Sequence, residues 1–193
     1  MNSQSWMATL LFTVIAFAGG FLAGMHGSPA PATGQPFIPK APAPDVSAHF
    51  SPKGGCTTAI IDEIANAHQT VELEAKSLTS PRIADALAAA ARRGVHVTVL
   101  LDAAQASEHR EQARYLVGER IPVLLDAKHG LVDNRIVLVD NHTLITGSFD
   151  FSDTAEEGNA ANLLILRDQP QIQSLYEDNF RSHLSHSQPY DGG

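Results

Sequence analysis

The segment Lys128–Asn162, KHGLVDNRIVLVDNHTLITGSFDFSDTAEEGNAAN, contains two short apolar runs that are bounded by polar residues. Residues 135–139 and 143–146 are rich in β-branched and aliphatic side chains, which is typical of strands. The residues between them, 140–142, read Asp-Asn-His, a composition that favours a turn between two antiparallel strands. The segment therefore predicts a β-hairpin with charged and polar side chains around its strands.

The polar residues of this segment follow a fixed pattern. Asp133, Arg135 and Asp140 form DxRxxxxD, and they are followed by GSFD at 147–150 and NAAN at 159–162. This arrangement resembles the signature of the phospholipase D superfamily, HxKxxxxD followed by GSxN and, in nuclease-like members, NAEN. The resemblance is strongest to the small bacterial nucleases of that superfamily, which carry a single motif per chain.

Further segments resemble the same nucleases in order and spacing, so the resemblance covers roughly residues 45–185. It implies an α/β fold, a phospholipase D-like α/β sandwich with a mixed central sheet flanked by helices and one motif per chain. Because each active site of the family needs two motifs, the resemblance also implies a homodimer. The segments are FSPKGG at 50–55, SLTSP at 77–81, RRGVHVTVLLD at 92–102 and IPVLLDAKH at 121–129.

The resemblance assigns family positions to individual residues. Asp133 stands at the position of the nucleophilic His, Arg135 at that of Lys, and Asp150 at that of Asn. Asp140 and Ser148 keep the family residue. Ala161 stands where the family has the Glu that orients the His. The candidate catalytic positions are therefore Asp133, Arg135, Asp140, Ser148 and Asp150, and the chemistry they offer differs from that of the family.

These exchanges weaken the expected phosphodiesterase chemistry. An aspartate carboxylate is ionised at neutral pH, is a poor proton donor and repels a phosphate group. Asp150 replaces an amide that donates hydrogen bonds with a group that only accepts them. Arg135 could clamp a phosphate, but pairing with Asp133 or Asp150 is favoured. Two subunits meeting at this motif would bring together more carboxylates than guanidinium groups.

Three ways of retaining activity stay open. Asp133 could act as a nucleophile that forms an acyl phosphate. Asp133 and Asp150, with their dimer mates, could bind Mg²⁺ or Ca²⁺, since hard cations prefer carboxylate oxygens. His129 could replace the missing His, although four residues of extended chain span roughly 13 Å. No cofactor and no metal-ligating set is predicted. His183 and His186 could in principle bind a metal, but an exposed pair near the polar C-terminal tail is the favoured interpretation.

Composition limits the classes of partner. A chain of 193 residues with 44% hydrophobic residues can form one good core. Its formal net charge of −8 argues against broad electrostatic binding to nucleic acid. A phosphodiester ligand, DNA or phospholipid, is therefore an alternative to an unidentified protein partner. The basic residues that could form a local cleft, or a solvated scatter on the surface, are Arg92, Arg93, Arg110, Arg114, Arg120, Lys128 and Arg135.

The N-terminal region predicts contact with a membrane. Trp6–Met25 is an uncharged run of about the length needed to cross a bilayer as a helix. Residues 1–25 are therefore interpreted as a signal peptide or an N-terminal membrane anchor, and Ala30–Ala32 offers a cleavage-like site. A linker rich in Pro and Ala follows at 26–44, the domain occupies 45–185 and a polar tail 186–193. The expected location is exported, periplasmic or anchored in the inner membrane of a bacterium.

The remaining sequence alternates strand and helix patterns. Cys56, the only cysteine, is predicted to be a packed small side chain. Strand 70–78 alternates apolar residues with Glu72 and Glu74 and is predicted to be half-buried. The other predicted strands are 46–50, 95–101, 121–125 and 163–166, and the predicted helices are 57–67, 81–93, 107–118 and 170–183.

Two functional hypotheses follow. The first is a dimeric binding or scaffold module with a catalytically degenerate phospholipase D-like motif. The second is an active phosphodiester hydrolase, an endonuclease or phospholipase, that uses Asp133 and Asp150 or a divalent metal.

Overall fold

The computed structural model describes residues 45–192, which form one mixed eight-stranded sheet with helices on both faces. The strand order is β1-β7-β6-β5-β2-β3-β4-β8; β2, β3 and β4 are parallel, and the other neighbours are antiparallel. The predicted α/β sandwich with a mixed central sheet is confirmed. The elements are β1 Asp45–Ser51, α1 Cys56–Ala65, β2 Thr70–Ala75, α2 Pro81–Arg92, β3 His96–Asp102, α3 Ala103–Glu108, α4 Glu111–Gly118, β4 Val123–Asp126, β5 Arg135–Val139, β6 Thr143–Gly147, α5 Asp153–Gly158, β7 Ala161–Arg167, α6 Pro170–Leu184 and β8 Gln188–Pro189.

Alternation along the strands gives the sheet two apolar faces. The larger core includes Val137 of β5 together with Ile60 of α1 and Leu87 of α2. The smaller core includes Ile136 of β5 and Phe180 of α6. Because neighbouring strand residues face opposite sides, β5 contributes side chains to both cores.

The β5–β6 hairpin is closed by the predicted turn. Asp140 and Asn141 have φ values of 52° and 56°, the left-handed pair that a tight hairpin turn requires. Asp140 also holds the hairpin against the start of β2, since its carboxylate accepts the backbone N–H groups of His68, Gln69 and Thr70 at 2.7, 2.7 and 2.8 Å. Burial raises the pKa of Asp140, but these hydrogen bonds outweigh it and the net pKa is lowered.

The prediction of a single helix over 107–118 is wrong. The structure has two shorter helices, α3 and α4, and the first begins directly after β3. Asp102 is its N-cap, and its carboxylate accepts the backbone N–H of Gln105 at 2.9 Å. This capping interaction starts the helix earlier than the apolar pattern indicated.

The half-buried interpretation of β2 is also wrong for one residue. Glu74 is completely buried because α6 covers this face of the sheet. Its carboxylate accepts one hydrogen bond from Asn134 and pairs with His183. Cys56 is buried as predicted, and burial, followed by the nearby Glu156, raises the pKa of its thiol.

Glu156 of α5 caps a distant helix. Its two carboxylate oxygens accept the backbone N–H groups of Gly55 and Thr57, at 2.9 and 2.7 Å, at the N-terminus of α1. Burial raises the pKa of Glu156, but the hydrogen bonds from Thr57 and Gly55 outweigh it and the net pKa is lowered. A buried carboxylate therefore fixes α5 to α1.

Replacing Glu156 with Gln tests this cap. The amide retains one acceptor oxygen and turns an NH₂ group towards a backbone N–H, so Glu156→Gln should lower the free energy of unfolding by about 1–3 kcal/mol. Glu157→Gln is the matched control, because Glu157 is exposed in the same helix. Equal urea midpoints for the two variants would contradict the capping role.

Within residues 45–192 no helix is long and apolar enough to cross a membrane. The predicted signal peptide or anchor at 1–25 and the linker at 26–44 lie outside the described residues.

Candidate active site

Three of the motif positions, Asp133, Arg135 and Asp150, lie together at one edge of the sheet. Arg135 is the first residue of β5 and pairs in register with Ala75, the last residue of β2. This edge therefore carries the carboxyl ends of the parallel strands β2, β3 and β4. Ligand sites in α/β proteins commonly lie at such edges.

Arg135 makes ion pairs with both exchanged carboxylates. Its Nη2 lies 3.0 Å from Asp133 Oδ1, and its Nε lies 2.5 Å from Asp150 Oδ1. Its Nη1 also donates to the backbone carbonyl of Asp133 at 3.1 Å. The predicted pairing is thus present, and every nitrogen of the guanidinium already has an acceptor.

Asp133, Arg135 and Asp150 form an ion-pair triad whose acidic side chains are more exposed than its basic one. The Arg135 side chain is 19% exposed, whereas those of Asp133 and Asp150 are 58% and 43% exposed. Burial lowers the pKa of Arg135, but Asp150 and then Asp133 outweigh it and the net pKa is raised. The surface offered to solvent is therefore carboxylate, and the positive charge lies behind it.

Ser148 holds the loop that follows β6. Its hydroxyl accepts the backbone N–H and the side-chain amide of Asn162, both at 3.1 Å. Gly147 has a φ of 152°, and a Cβ there would lie 2.3 Å from the Asn162 carbonyl oxygen. The Gly-Ser pair therefore has a sufficient structural role in this close approach of two backbones.

Asp140 lies away from the triad. It is at the opposite end of β5 from Arg135, roughly 17 Å along the strand by strand geometry. Its carboxylate is occupied by three backbone N–H groups. The structure therefore brings Asp133, Arg135 and Asp150 together, positions Ser148 beside them through β6, and gives Asp140 a structural position.

Three of the other candidate cations make separate local contacts. Arg92 pairs with Glu119 at 2.6 Å, Arg93 donates to the carbonyls at the end of α1, and Arg114 donates to the Gly192 carbonyl. This arrangement agrees with a scatter of surface arginines, each engaged locally. A separate pocket of about 210 Å³ is lined by Leu78, Thr79, His109, Arg110, Glu111 and Gln112, and the triad residues are outside that lining.

The sequence missed a second polar cluster at the same edge. Asp126 ends β4, and its side chain is completely buried. Its Oδ2 lies 2.7 Å from His129 Nδ1 and 3.1 Å from His186 Nε2. His129 is thus paired with Asp126. The interpretation of His183 and His186 as an exposed pair is wrong, since their side chains are only 15% and 17% exposed.

Local signals for this cluster exist in the sequence. Asp126 follows an apolar strand, and His129 is three residues further on. A buried carboxylate needs partners, so Asp126 implied a nearby donor. Glu74 gave no such signal, because the alternation of β2 places it on the same face as Glu72. His186 could not be paired from sequence because its position depends on β8 pairing with β4.

Comparison with known proteins supports the family resemblance of the sequence. The family described as "Cardiolipin synthase, PLD-like domain" matches residues 60–184. A protein named phospholipase D from Rickettsia typhi is 31% identical over 150 residues, which cover 78% of this chain and 74% of that protein. A second one, from Rickettsia conorii, is 32% identical over 133 residues, covering 69% of this chain and 66% of its own length.

Solved structures show the same architecture. Nuc, a phospholipase D family member from Salmonella typhimurium, has a TM-score of 0.73 at 27% identity and covers 77% of this chain and 99% of its own. NucT from Helicobacter pylori has a TM-score of 0.68 at 21% identity and covers 77% of this chain and 100% of its own. The chain belongs to the phospholipase D superfamily and is similar to its single-motif, nuclease-like members.

Proposed function

We propose that this protein is an exported or membrane-anchored phospholipase D-like module that has lost phosphodiester cleavage and acts as a homodimeric binding or scaffold unit. The observation that carries the proposal is the ion-pair triad, in which Asp133 and Asp150 occupy the guanidinium of Arg135. A phosphate would have to displace both carboxylates to reach this cation. The remaining surface of the triad is negative and repels it.

The chemistry of the side chains supports the same conclusion. Phosphodiester cleavage by this superfamily, as the motif resemblance implies, needs a nucleophile and a proton donor close to phosphorus. A carboxylate is a poorer proton donor than an imidazole near neutral pH, so the exchange at the His position removes the expected donor. Dimerisation at this edge would place two such triads together, which increases the negative charge.

A second candidate function is favoured by the similarity to proteins named phospholipase D. In that case the exposed carboxylates of Asp133 and Asp150 would act on a phosphodiester, either directly or by holding a divalent cation. This hypothesis requires the carboxylates to leave Arg135. It predicts turnover that depends on Asp133, and for the cation form it predicts inhibition by EDTA.

The deciding experiment is an assay of the purified full-length chain in mild detergent. Hydrolysis of bis(4-nitrophenyl) phosphate, plasmid DNA and phosphatidylcholine should not exceed that of heat-denatured protein, with or without Mg²⁺ and Ca²⁺. Light scattering on the same sample should give the mass of a dimer. Turnover by the native chain that disappears in Asp133→Ala would establish the hydrolase instead, and a monomer would contradict the dimeric part of the proposal.

A further inference from the structure

We propose that Asp126, His129 and His186 form a binding site for one divalent transition-metal ion of the zinc class. The ligand atoms are Asp126 Oδ2, His129 Nδ1 and His186 Nε2, which all lie within 4.8 Å of one another. This site is distinct from the ion-pair triad and does not depend on the proposed function of the motif. Bound metal would fix the C-terminal segment to the end of β4.

The fold brings these residues together from distant parts of the chain. Asp126 is the last residue of β4, and His129 lies in the turn that follows it. Chain leaving α6 turns back and pairs β8 with β4, with Leu125 opposite Gln188. His186 lies between α6 and β8, so this pairing carries its ring to Asp126.

The carboxylate is held in a defined orientation. Asp126 Oδ1 accepts the backbone N–H of Lys128 at 2.8 Å, which leaves Oδ2 for the two imidazoles. Both imidazole nitrogens therefore converge on a single oxygen. Burial raises the pKa of Asp126, but hydrogen bonds from His129, Lys128 and His186 outweigh it and hold the pKa well below its usual range.

The distances are close to those of a metal site. Zinc binds imidazole nitrogen and carboxylate oxygen at about 2.0–2.2 Å, so tetrahedral ligand atoms lie roughly 3.4 Å apart. The observed nitrogen-to-oxygen distances are 2.7 and 3.1 Å. Small outward rotations of the two rings would admit an ion, and the proton now shared in each hydrogen bond would move to the other ring nitrogen or be released.

The surrounding charge favours a cation. Asp126 and Glu74 are both completely buried at the side chain, and within residues 45–192 their ion-pair partners are histidines alone. Glu74 Oε2 also has no hydrogen-bond partner among the described residues. Two buried carboxylates without Lys or Arg are costly unless positive charge compensates them, and a divalent ion supplies that charge.

A third histidine, His183, lies beside the two ligand rings. The His183 ring centroid lies 4.8 Å from that of His129 and 6.0 Å from that of His186. His183 Nδ1 lies 2.7 Å from Glu74 Oε1, a carboxylate–imidazole contact like those that orient the residues around metal ligands. His183 thus connects the second buried carboxylate to the ligand rings.

The donor set selects the class of ion. Two imidazoles and one carboxylate suit Zn²⁺ and neighbouring transition ions, whereas Mg²⁺ and Ca²⁺ prefer oxygen ligands. His129 is 41% exposed, so water can complete the coordination from that side. Three protein ligands with an accessible fourth position is an arrangement that zinc adopts in proteins.

The test is Zn²⁺ binding by the full-length chain in mild detergent after removal of metal with EDTA. Calorimetry in metal-free buffer should show one Zn²⁺ per chain, and Co²⁺ should give the visible absorption of an ion held by nitrogen and oxygen ligands. His129→Ala and His186→Ala should each weaken Zn²⁺ binding more than about 100-fold, beyond the usual effect of losing a residue behind the ligands.

One histidine variant serves as the control, and two results would overturn the proposal. His96→Ala changes an exposed histidine at the start of β3 and should leave Zn²⁺ affinity unchanged. If His186→Ala fails to fold, His129→Ala decides, since its partly exposed side chain can be removed with less disturbance. Absence of Zn²⁺ binding in the parent chain would overturn the site. Binding that survives His129→Ala unchanged would place the ion elsewhere and overturn it equally.

Discussion

Restoring the four exchanged motif residues in one chain is expected to create phosphodiesterase activity. The variant Asp133→His, Arg135→Lys, Asp150→Asn and Ala161→Glu supplies an imidazole, an ammonium, an amide and an orienting carboxylate. In enzymes, positioned proton transfer raises the reaction rate about 10²–10⁴-fold. Removing one hydrogen-bond donor that stabilises the transition state lowers the rate about 10²–10³-fold. A rise of at least about 1,000-fold in the hydrolysis rate is therefore expected, measured on bis(4-nitrophenyl) phosphate.

The structure explains why the four changes must be made together. Asp133→His alone leaves Asp150 paired with Arg135, so the cation remains unavailable to phosphate. Arg135→Lys alone leaves two exposed carboxylates beside it. Only the combined change removes the negative surface and also supplies the proton donor and the hydrogen-bond donors. The hydrolysis rates of the single variants should therefore stay near background.

A matched control separates activity from altered stability. The same four changes with Asp133→Ala in place of Asp133→His keep the electrostatic exchange but omit the imidazole. This control should fold and remain inactive. A silent four-residue variant that folds and forms the same oligomer as the parent would mean that the scaffold has diverged further than the motif, and the prediction would be wrong.

Comparison of sequence and structure shows which parts of the site were predictable. Asp133 lies two residues before Arg135, the first residue of β5, so their pairing follows from their closeness along the chain. Asp150 joins them because the β5–β6 hairpin returns the chain to the same edge, and the turn residues indicated that hairpin. The triad was therefore accessible to sequence reasoning.

The histidine cluster was not accessible in the same way. The alternation in β2 predicted solvent for Glu74, and the assignment failed because α6 packs over that face. His186 meets Asp126 through the short β8 strand, which has only two residues and no recognisable pattern. Contacts that depend on how distant elements dock cannot be read from periodicity alone.

The second large effect is expected from Asp140, the motif residue that has a structural position. Its carboxylate accepts three backbone N–H groups at the start of β2, and hydrogen bonds to charged groups contribute about 1.5–3 kcal/mol each before non-additivity. Asp140→Ala should lower the free energy of unfolding by about 2–4 kcal/mol in urea denaturation. Asp140→Asn should lose less, because its amide oxygen can still serve Gln69 and Thr70.

Backbone conformation requires a control. Asp140 has a positive φ, which Ala adopts less readily than Asp or Asn, so part of the loss in Asp140→Ala is conformational. Asn141 has a similar φ of 56° and an exposed side chain, and Asn141→Ala therefore measures the conformational cost in the same turn. The difference between the two alanine variants is the contribution of the carboxylate.

The stabilisation that Asp140 provides should depend on pH. Because the folded-state pKa of Asp140 is lowered, its contribution to the free energy of unfolding is complete above the unfolded-state pKa of about 4. That contribution is lost as the pH falls through the lower, folded-state pKa. The stability difference between the parent chain and Asp140→Asn should therefore be largest near neutral pH and shrink in acid. A difference that is constant over this range would show that the carboxylate charge does not stabilise the hairpin.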